Sequence, residues 1–458
     1  MTSHKYPMIA AAVTVALGAA GFADAAVPSL SQAAAAPVQL VIAGSSAAES
    51  SVASAVETTV CGSVSNTLVV QSKGGSGNFF AFSCNTAATI SGITTGTLVT
   101  VYYRTEGGSV VGALPLVQNK KILRLNLADT ANCATTGAAT ASCTVNGVTA
   151  TAGTTDSWTG GLTQDFVQLG VTDVEPAQLT NADFPTNYSA SVFGSATAAQ
   201  LKALPTSRIF DQVFGLAVNT TGGGLPANSS TAGISGIHLS KEAAANILNG
   251  SYSDWSAVPD ATTGNAVASS SVGVTRIDRE PGSGTRTATN IFFLGYQCGT
   301  TNSIQSLPGE QLNFSTADEL TQANGIPGAI AYTSIDQILN PSNLAKWPNL
   351  ALVTIDGVAP STQAAAAGGY GFWFEATFVP NTTALGSGTG SAALATFLEN
   401  SLPTLAGAPS SPDINVIPSY KGNTASVPLT GKGSGTTAVF VNAFSRLGNS
   451  CNVPAEQN

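Results

Sequence analysis

The chain has 458 residues and a formal charge of −9, from 16 Lys+Arg against 25 Asp+Glu. Only 9% of residues are charged, against about 25% in an ordinary globular protein, while 43% are hydrophobic. This excludes a disordered acidic chain and a nucleic-acid binder, which needs a basic face, and the length has room for two or three domains.

The N-terminus has a short basic start, His4 and Lys5, then an uncharged apolar run over residues 8–22, then Ala23-Asp24-Ala25. That pattern predicts a secretory signal peptide over residues 1–25. The run is shorter than the roughly 20 apolar residues that span a bilayer, and no cysteine follows it. The expectation is a protein that is not membrane-spanning, carries no lipid anchor, and is periplasmic or secreted.

Residues 38–43 read as a strand that ends at Gly44-Ser45-Ser46, and 47–60 carry small residues at helical spacing. A second strand over 67–71 runs into Lys73-Gly74-Gly75-Ser76-Gly77. Strand, Gly/Ser loop and helix in alternation open an α/β fold. Residues 98–104 form another strand, followed by a Gly-rich loop over 104–109 that could line a cleft. Residues 119–160 are rich in Thr, Ala and Gly and read as an irregular β-rich insertion on the surface. Its Lys120, Lys121 and Arg124 read as a solvated face.

Regular structure resumes at 166–170 and leads to Val171-Thr172-Asp173-Val174-Glu175-Pro176. Residues 198–204 read as helix and 208–219 as a long strand. Ser240 is an N-cap ahead of a helix closed by Asn249-Gly250. Residues 272–277 read as strand, 285–296 as helix, 328–332 as strand, 371–379 as a second long strand, and 391–400 and 437–447 as helices. Two long strands crossing between lobes divide the chain into residues 38–207 plus 380–458 and residues 208–379.

The six cysteines allow fifteen pairings, and an exported chain favours disulfides. Proximity favours Cys61–Cys84 and Cys133–Cys143, leaving Cys298–Cys451. There is no C-x-x-C, and beyond the signal segment the only histidine is His238, read as a partly exposed residue before a helix. Neither a zinc site nor a histidine-based triad is expected, and no cofactor.

The informative segment runs over residues 274–286, as strand, Gly-rich turn and helix. The amides of Ser283, Gly284 and Thr285 are expected to begin the helix unsatisfied, where the helix end carries about half a positive charge. Together these make an anion cradle. The Ser283 and Thr285 hydroxyls add donors, and Arg279 can offer a forked pair of N–H bonds. Gly-Ser-Gly-Thr also occurs over 386–389 and 433–436, but only the copy at 282–285 is bracketed by arginines, Arg279 and Arg286. It is not a Walker loop.

R-E-P-G-S-G-T-R resembles the anion loop of the periplasmic phosphate-binding proteins of phosphate ABC transporters. V-I-A-G-S-S-A resembles that family's first loop, K-G-G-S-G-N its second, and T-D-V-E-P its acidic loop. The helix and Trp turn H-L-S-K-E-A-A-A-N-I-L-N-G-S-Y-S-D-W, and the strands G-A-I-A-Y and G-Y-G-F-W-F, follow in order, so that the likeness spans roughly residues 38 to 420.

The resemblance implies a type 2 periplasmic-binding fold: two α/β lobes with a hinge, the first carrying the β-rich insertion. It implies a monomer that captures inorganic phosphate for an ABC transporter permease and catalyses nothing. The anion would be held by Ser45 and Ser46, Ser76, Asp173, Arg279, Ser283, Gly284 and Thr285. An ionised Asp173 only accepts hydrogen bonds, so it can face an oxyanion that brings a proton, as phosphate does, and repels sulfate. A second reading is a secreted or cell-surface structural or adhesive protein reusing the same fold. A secreted hydrolase lacks a metal cluster and a nucleophile–base pair.

Overall fold

A computed structural model describes residues 26–73, 78–146, 159–179, 194–226, 233–304, 312–405, 416–418 and 444–456. The expected signal segment, Ser76 and the third Gly-Ser-Gly-Thr copy lie outside the described residues.

In chain order the strands are β1 (Val38–Gly44), β2 (Leu68–Lys73), β3 (Phe79–Asn85), β4 (Leu98–Arg104), β5 (Lys121–Leu125), β6 (Cys133–Thr135), β7 (Thr140–Asn146), β8 (Thr159–Gly160), β9 (Leu162–Phe166), β10 (Leu169–Thr172), β11 (Ser207–Asn219), β12 (Ile234–Leu239), β13 (Thr275–Arg276), β14 (Ala329–Ser334), β15 (Leu350–Ile355), β16 (Trp373–Pro380) and β17 (Val416–Pro418). Most join one extended sheet in the order β12-β15-β11-β16-β10-β1-β4-β3-β2-β7-β6.

β1 lies between β4 and β10 and is parallel to both. It is buried along its whole length except at Gln39, as a parallel strand covered on both faces must be. On one face Leu40 and Ile42 pack with Val52, Phe80, Val99, Leu394 and Leu398, under the helices Glu49–Ala55 and Gly390–Leu405. On the other face Val41 and Ala43 join a core that includes Tyr102, Val110, Leu114, Phe214, Trp255, Tyr332 and Leu352.

β11 is thirteen residues long and changes partner midway. From Ser207 to Val213 it pairs with β16; from Phe214 to Val218 it pairs with β14. β16 in turn pairs with β10. β11 and β16 therefore join the half of the sheet built on β1 to the half built on β12, β14 and β15. The α/β class and the two-part arrangement are both present.

Several elements differ from expectation. β3, a nearly continuous apolar run, was not anticipated. The insertion is not confined to the surface: β5 pairs with β9, the β6–β7 hairpin extends the main sheet beyond β2, and Ile122, Leu125 and Val145 are buried. Arg124 is no solvated residue either, since it pairs with Asp165 and lies over the Tyr102 ring. The strand expected over 272–277 is regular only at Thr275–Arg276. The described end of the predicted 437–447 helix is a short strand, Phe444–Ser445, paired with Ala455–Glu456. The disulfides are Cys61–Cys84, Cys133–Cys143 and Cys298–Cys451, the pairing that proximity favoured.

Candidate functional site

The Gly-rich turn leads into the helix Gly284–Thr289, which continues as a wider turn over Asn290–Leu294. Buried charges fix the turn from beneath. The Asp278 carboxylate accepts the Arg279 amide at 2.8 Å and the Tyr332 hydroxyl, and lies 3.2 Å from the Arg286 guanidinium. The Ser283 hydroxyl caps the helix by accepting the Arg286 amide at 3.3 Å, and the Ser283 amide donates to the Glu280 carbonyl at 3.1 Å. Of the three amides expected to be unsatisfied, Ser283 is therefore already bonded. The amides of Gly284 and Thr285 open the first turn, where no intrahelical acceptor exists.

Arg279 is 1% exposed. Its Nη1 donates to the Thr316 hydroxyl at 2.8 Å, its Nε to the Asn313 carbonyl at 3.2 Å, and its Nη2 to the Phe314 carbonyl at 3.2 Å. The Glu319 carboxylate lies 3.9 Å from Nη1. A guanidinium has five N–H donors, so this anchoring leaves part of the fork for another acceptor. Gly108 faces it: a Cβ there would stand 3.7 Å from Nη2 and 3.2 Å from Ser283 Cα.

β1 and β10 end side by side, and the groups after parallel strand ends meet at one crevice. Ser45 follows β1 and Asp173 follows β10. The Ser45 amide donates to the Val171 carbonyl at 2.9 Å, and its hydroxyl donates to Asp173 Oδ1. Close packing makes Gly44 necessary, since a Cβ there would lie 1.9 Å from the Val171 oxygen. The Asp173 amide donates to the Ser109 hydroxyl at 3.1 Å, and the Thr285 hydroxyl donates to Asp173 Oδ2 at 3.4 Å. Asp173 is 1% exposed. Burial pushes its carboxyl above the usual carboxylate range, against the pull of the Ser45 hydrogen bond, the Arg279 charge, and the Ser109 and Thr285 hydroxyls.

The structure thus brings Ser45, Asp173, Gly284 and Thr285 together, with Arg279 near enough to act on Asp173 by its charge. Ser46 points elsewhere, to the Thr316 hydroxyl at 3.1 Å, and so meets Arg279 through Thr316. Ser283 serves as the cap. The hydroxyls of Ser45 and Thr285 converge on the Asp173 carboxylate itself. The same region carries further direct bonds: the Val110 backbone amide donates to the Gly282 carbonyl at 3.0 Å across the halves, and the Gln212 side-chain amide, on the crossing strand β11, donates to the Ala47 carbonyl.

Ser109 and Thr316 were not among the site residues expected. Ser109 follows β4, the parallel neighbour of β1, whereas Lys73-Gly74-Gly75-Ser76 follows β2, which is separated from β1 by β3 and β4. The loop over 104–109 was expected as possible cleft lining, but Ser109 itself was not singled out. Arg104 in fact pairs with Glu106 and lies 5.2 Å from the Phe79 ring centroid. Thr316 begins the helix Thr316–Gly325, capped by Ser315, and nothing in the sequence marked it. His238 is half-buried in β12 and bonded to the Thr354 hydroxyl at 2.8 Å.

Among the described residues, no group of three His, Cys, Asp or Glu side chains could hold a metal ion, and no helix is long and apolar enough to cross a membrane.

No known family profile matches the chain, and no curated protein does. Solved structures that it is similar to include one from Clostridium perfringens described as a phosphate ABC transporter substrate-binding protein with bound phosphate. It is 12% identical, covers 80% of this chain and 97% of that one, and has a TM-score of 0.43. PstS from Borrelia burgdorferi is 11% identical over 79% of this chain and 91% of that one, with a TM-score of 0.34. An ABC-type phosphate transport receptor from Vibrio cholerae is 13% identical over 53% of this chain and 79% of that one, with a TM-score of 0.33. Similarity this distant assigns neither a ligand nor a role to this chain.

Proposed function

We propose that the chain is an extracytoplasmic solute-binding protein that captures inorganic phosphate between the halves of its fold, as a monomer, for an ABC-type permease. One observation carries this reading: a buried carboxylate, Asp173, faces hydroxyls from both halves, Ser45 and Thr285, with the Arg279 charge beside it. Donors outnumber acceptors there. A phosphate entering this cluster brings a P–O–H that Asp173 can accept. The hydroxyls of Ser45, Ser109 and Thr285, the amides of Gly284 and Thr285, and the remaining Arg279 N–H groups then turn to its other oxygens. Charge-assisted bonds of this kind are the strong ones. Fully ionised sulfate brings no proton and meets Asp173 as a like charge.

In this reading Ser109 takes the place that the resemblance implied for Ser76, and Ser46 and Ser283 support the site. The lobes, 38–207 plus 380–458 and 208–379, close on the ligand by a two-state shift. Three disulfides suit an oxidising compartment. The test is titration calorimetry with phosphate, arsenate, sulfate and molybdate. One equivalent of phosphate is expected to bind and sulfate to give no heat; the absence of heat with all four overturns the proposal.

A structural or adhesive role is the second reading, and a specific observation favours it. Thr285–Asp173, Ser46–Thr316 and Val110–Gly282 already join the halves through the protein's own groups. Assembly into polymers or attachment to cells without any response to phosphate supports that reading.

A further inference from the structure

Residues 444–456 form a strap over the place where the chain passes between the halves of the sheet. Arg446 is its anchor and is 6% exposed. Its Nε donates to the Trp373 carbonyl and its Nη2 to the Gly371 carbonyl, each at 3.2 Å, while its guanidinium lies 4.4 Å from the Phe374 ring centroid. Those two carbonyls flank Phe372, whose own carbonyl accepts the Phe214 amide at 3.0 Å. Phe214 is the residue at which β11 changes partner from β16 to β14. The strap therefore grips the crossing point.

Two carboxylates fasten the strap, Glu375 to the crossing strand β16 and Glu175 to the half built on β1. Glu375, on β16, accepts the Ser445 hydroxyl at 2.6 Å, the Arg446 amide at 3.0 Å and the Gly448 amide at 2.7 Å, and pairs with Arg208 at 3.1 Å. Glu175, two residues beyond Asp173, accepts the Ser450 amide at 2.8 Å and the Ser450 hydroxyl. The next residue, Cys451, is bonded to Cys298. Cys298 lies just beyond the Asn290–Leu294 turn that continues the helix bearing Gly284 and Thr285.

We infer that this strap is a latch between the two sides of the candidate site. It is covalently tied to the far end of the Thr285 helix and hydrogen-bonded to the loop that carries Asp173. Moving Thr285 away from Asp173 drags Cys451 with the helix and pulls Ser450 off Glu175. Charge-assisted bonds must then be broken, so the closed arrangement is held without help from any ligand. Nothing in the latch depends on which ligand the site takes, or on whether it takes one.

The test is hydrogen–deuterium exchange of the intact protein, followed by mass spectrometry. Ser450→Ala and Glu175→Gln weaken one attachment, and the paired change Cys298→Ala with Cys451→Ala removes the other. In each variant, peptides over residues 170–175 and 282–289 are expected to exchange about tenfold faster, as loss of a charge-assisted bond that resists local opening implies. Peptides from β1 and β14 keep their wild-type rates and report an intact fold. Unchanged exchange over 282–289 in Ser450→Ala and Glu175→Gln overturns the latch, even where the cysteine variant does not fold. The readout needs no phosphate, so failure of the latch and failure of the binding proposal are separate results.

Discussion

The Thr285 hydroxyl lies 3.4 Å from the Asp173 carboxylate, although 112 positions separate the two residues. Thr285 belongs to the first turn of a helix, where the backbone favours negative charge. Asp173 is a buried carboxyl that needs donors, because burying an unpaired charge is costly. Each residue supplies what the other lacks, and the pair closes the two halves of the sheet on each other. An oxyanion that replaces one side of this pairing has to satisfy both.

Asp173→Asn tests the selectivity that this pairing implies. The amide keeps the size of the side chain, and its NH₂ group can donate to an oxyanion that carries no proton. Sulfate, silent in titrations of the wild type, is then expected to bind, and phosphate to bind about tenfold more weakly. Continued exclusion of sulfate assigns the discrimination to other groups.

Gly284→Ala probes the close approach at the same point. A Cβ there would lie 2.1 Å from the Ser109 hydroxyl oxygen and 2.6 Å from Asp173 Oδ2. Such overpacking costs about 1–3 kcal/mol, so both thermal stability and phosphate binding are expected to fall. Gly325→Ala is the control, since a Cβ there meets nothing within 4 Å and alanine suits a helix better than glycine. A silent Gly284→Ala means that the two loops can part freely.

Local pattern made some of this fold and site legible and concealed the rest. The apolar runs of β11 and β16 announce strands buried on both faces, and the bracket Arg279–Arg286 singles out one Gly-Ser-Gly-Thr among three. Strand order in the sheet is not a local property. The β2–β3 hairpin stands before the second parallel strand, so the strand that comes second in sequence is not the one paired with β1. The expected site residue was therefore Ser76, and Ser109 stayed unnamed within a loop that could line the cleft. Ser283 differs in another way: its sequence context suits both an anion ligand and an N-cap, and the Arg286 amide at 3.3 Å places it in the cap with its O–H still able to donate. Thr316 meets Arg279 through tertiary packing that leaves no mark on either segment.

Arg279 and Glu319 offer a double-mutant test of how the guanidinium is held. Both are buried, 3.9 Å apart, and burial pushes the Glu319 carboxyl well up against the attraction of Arg279. Arg279→Ala removes that attraction along with three hydrogen bonds, and is expected to destabilise the fold by about 3 kcal/mol. Adding Glu319→Gln takes away the buried carboxyl that Arg279 no longer offsets and is expected to restore about 1 kcal/mol or more. Urea unfolding of the four proteins measures the coupling, and strictly additive losses mean that Glu319 does not hold Arg279 by charge.

Glu49 predicts a pH dependence of opposite sense to that of an ordinary paired carboxylate. It opens the helix that follows Ser45, and burial together with the nearby Asp336 charge pushes its carboxyl up to about 8, against the pull of Lys346. The unfolded chain releases this proton at the ordinary value of 4.5, while the folded chain keeps it until about 8. The stability it contributes is therefore complete below about pH 4.5 and lost as the pH rises through about 8. The side chain is only half-buried, so the loss is expected to be about 1 kcal/mol rather than the full value of such a shift. Glu57, raised to about 7 by burial, adds a loss of the same sign. Melting temperatures across this range are expected to fall in the wild type and to fall less in Glu49→Gln. An equal fall in both proteins assigns the slope to Glu57, and Glu57→Gln then flattens it.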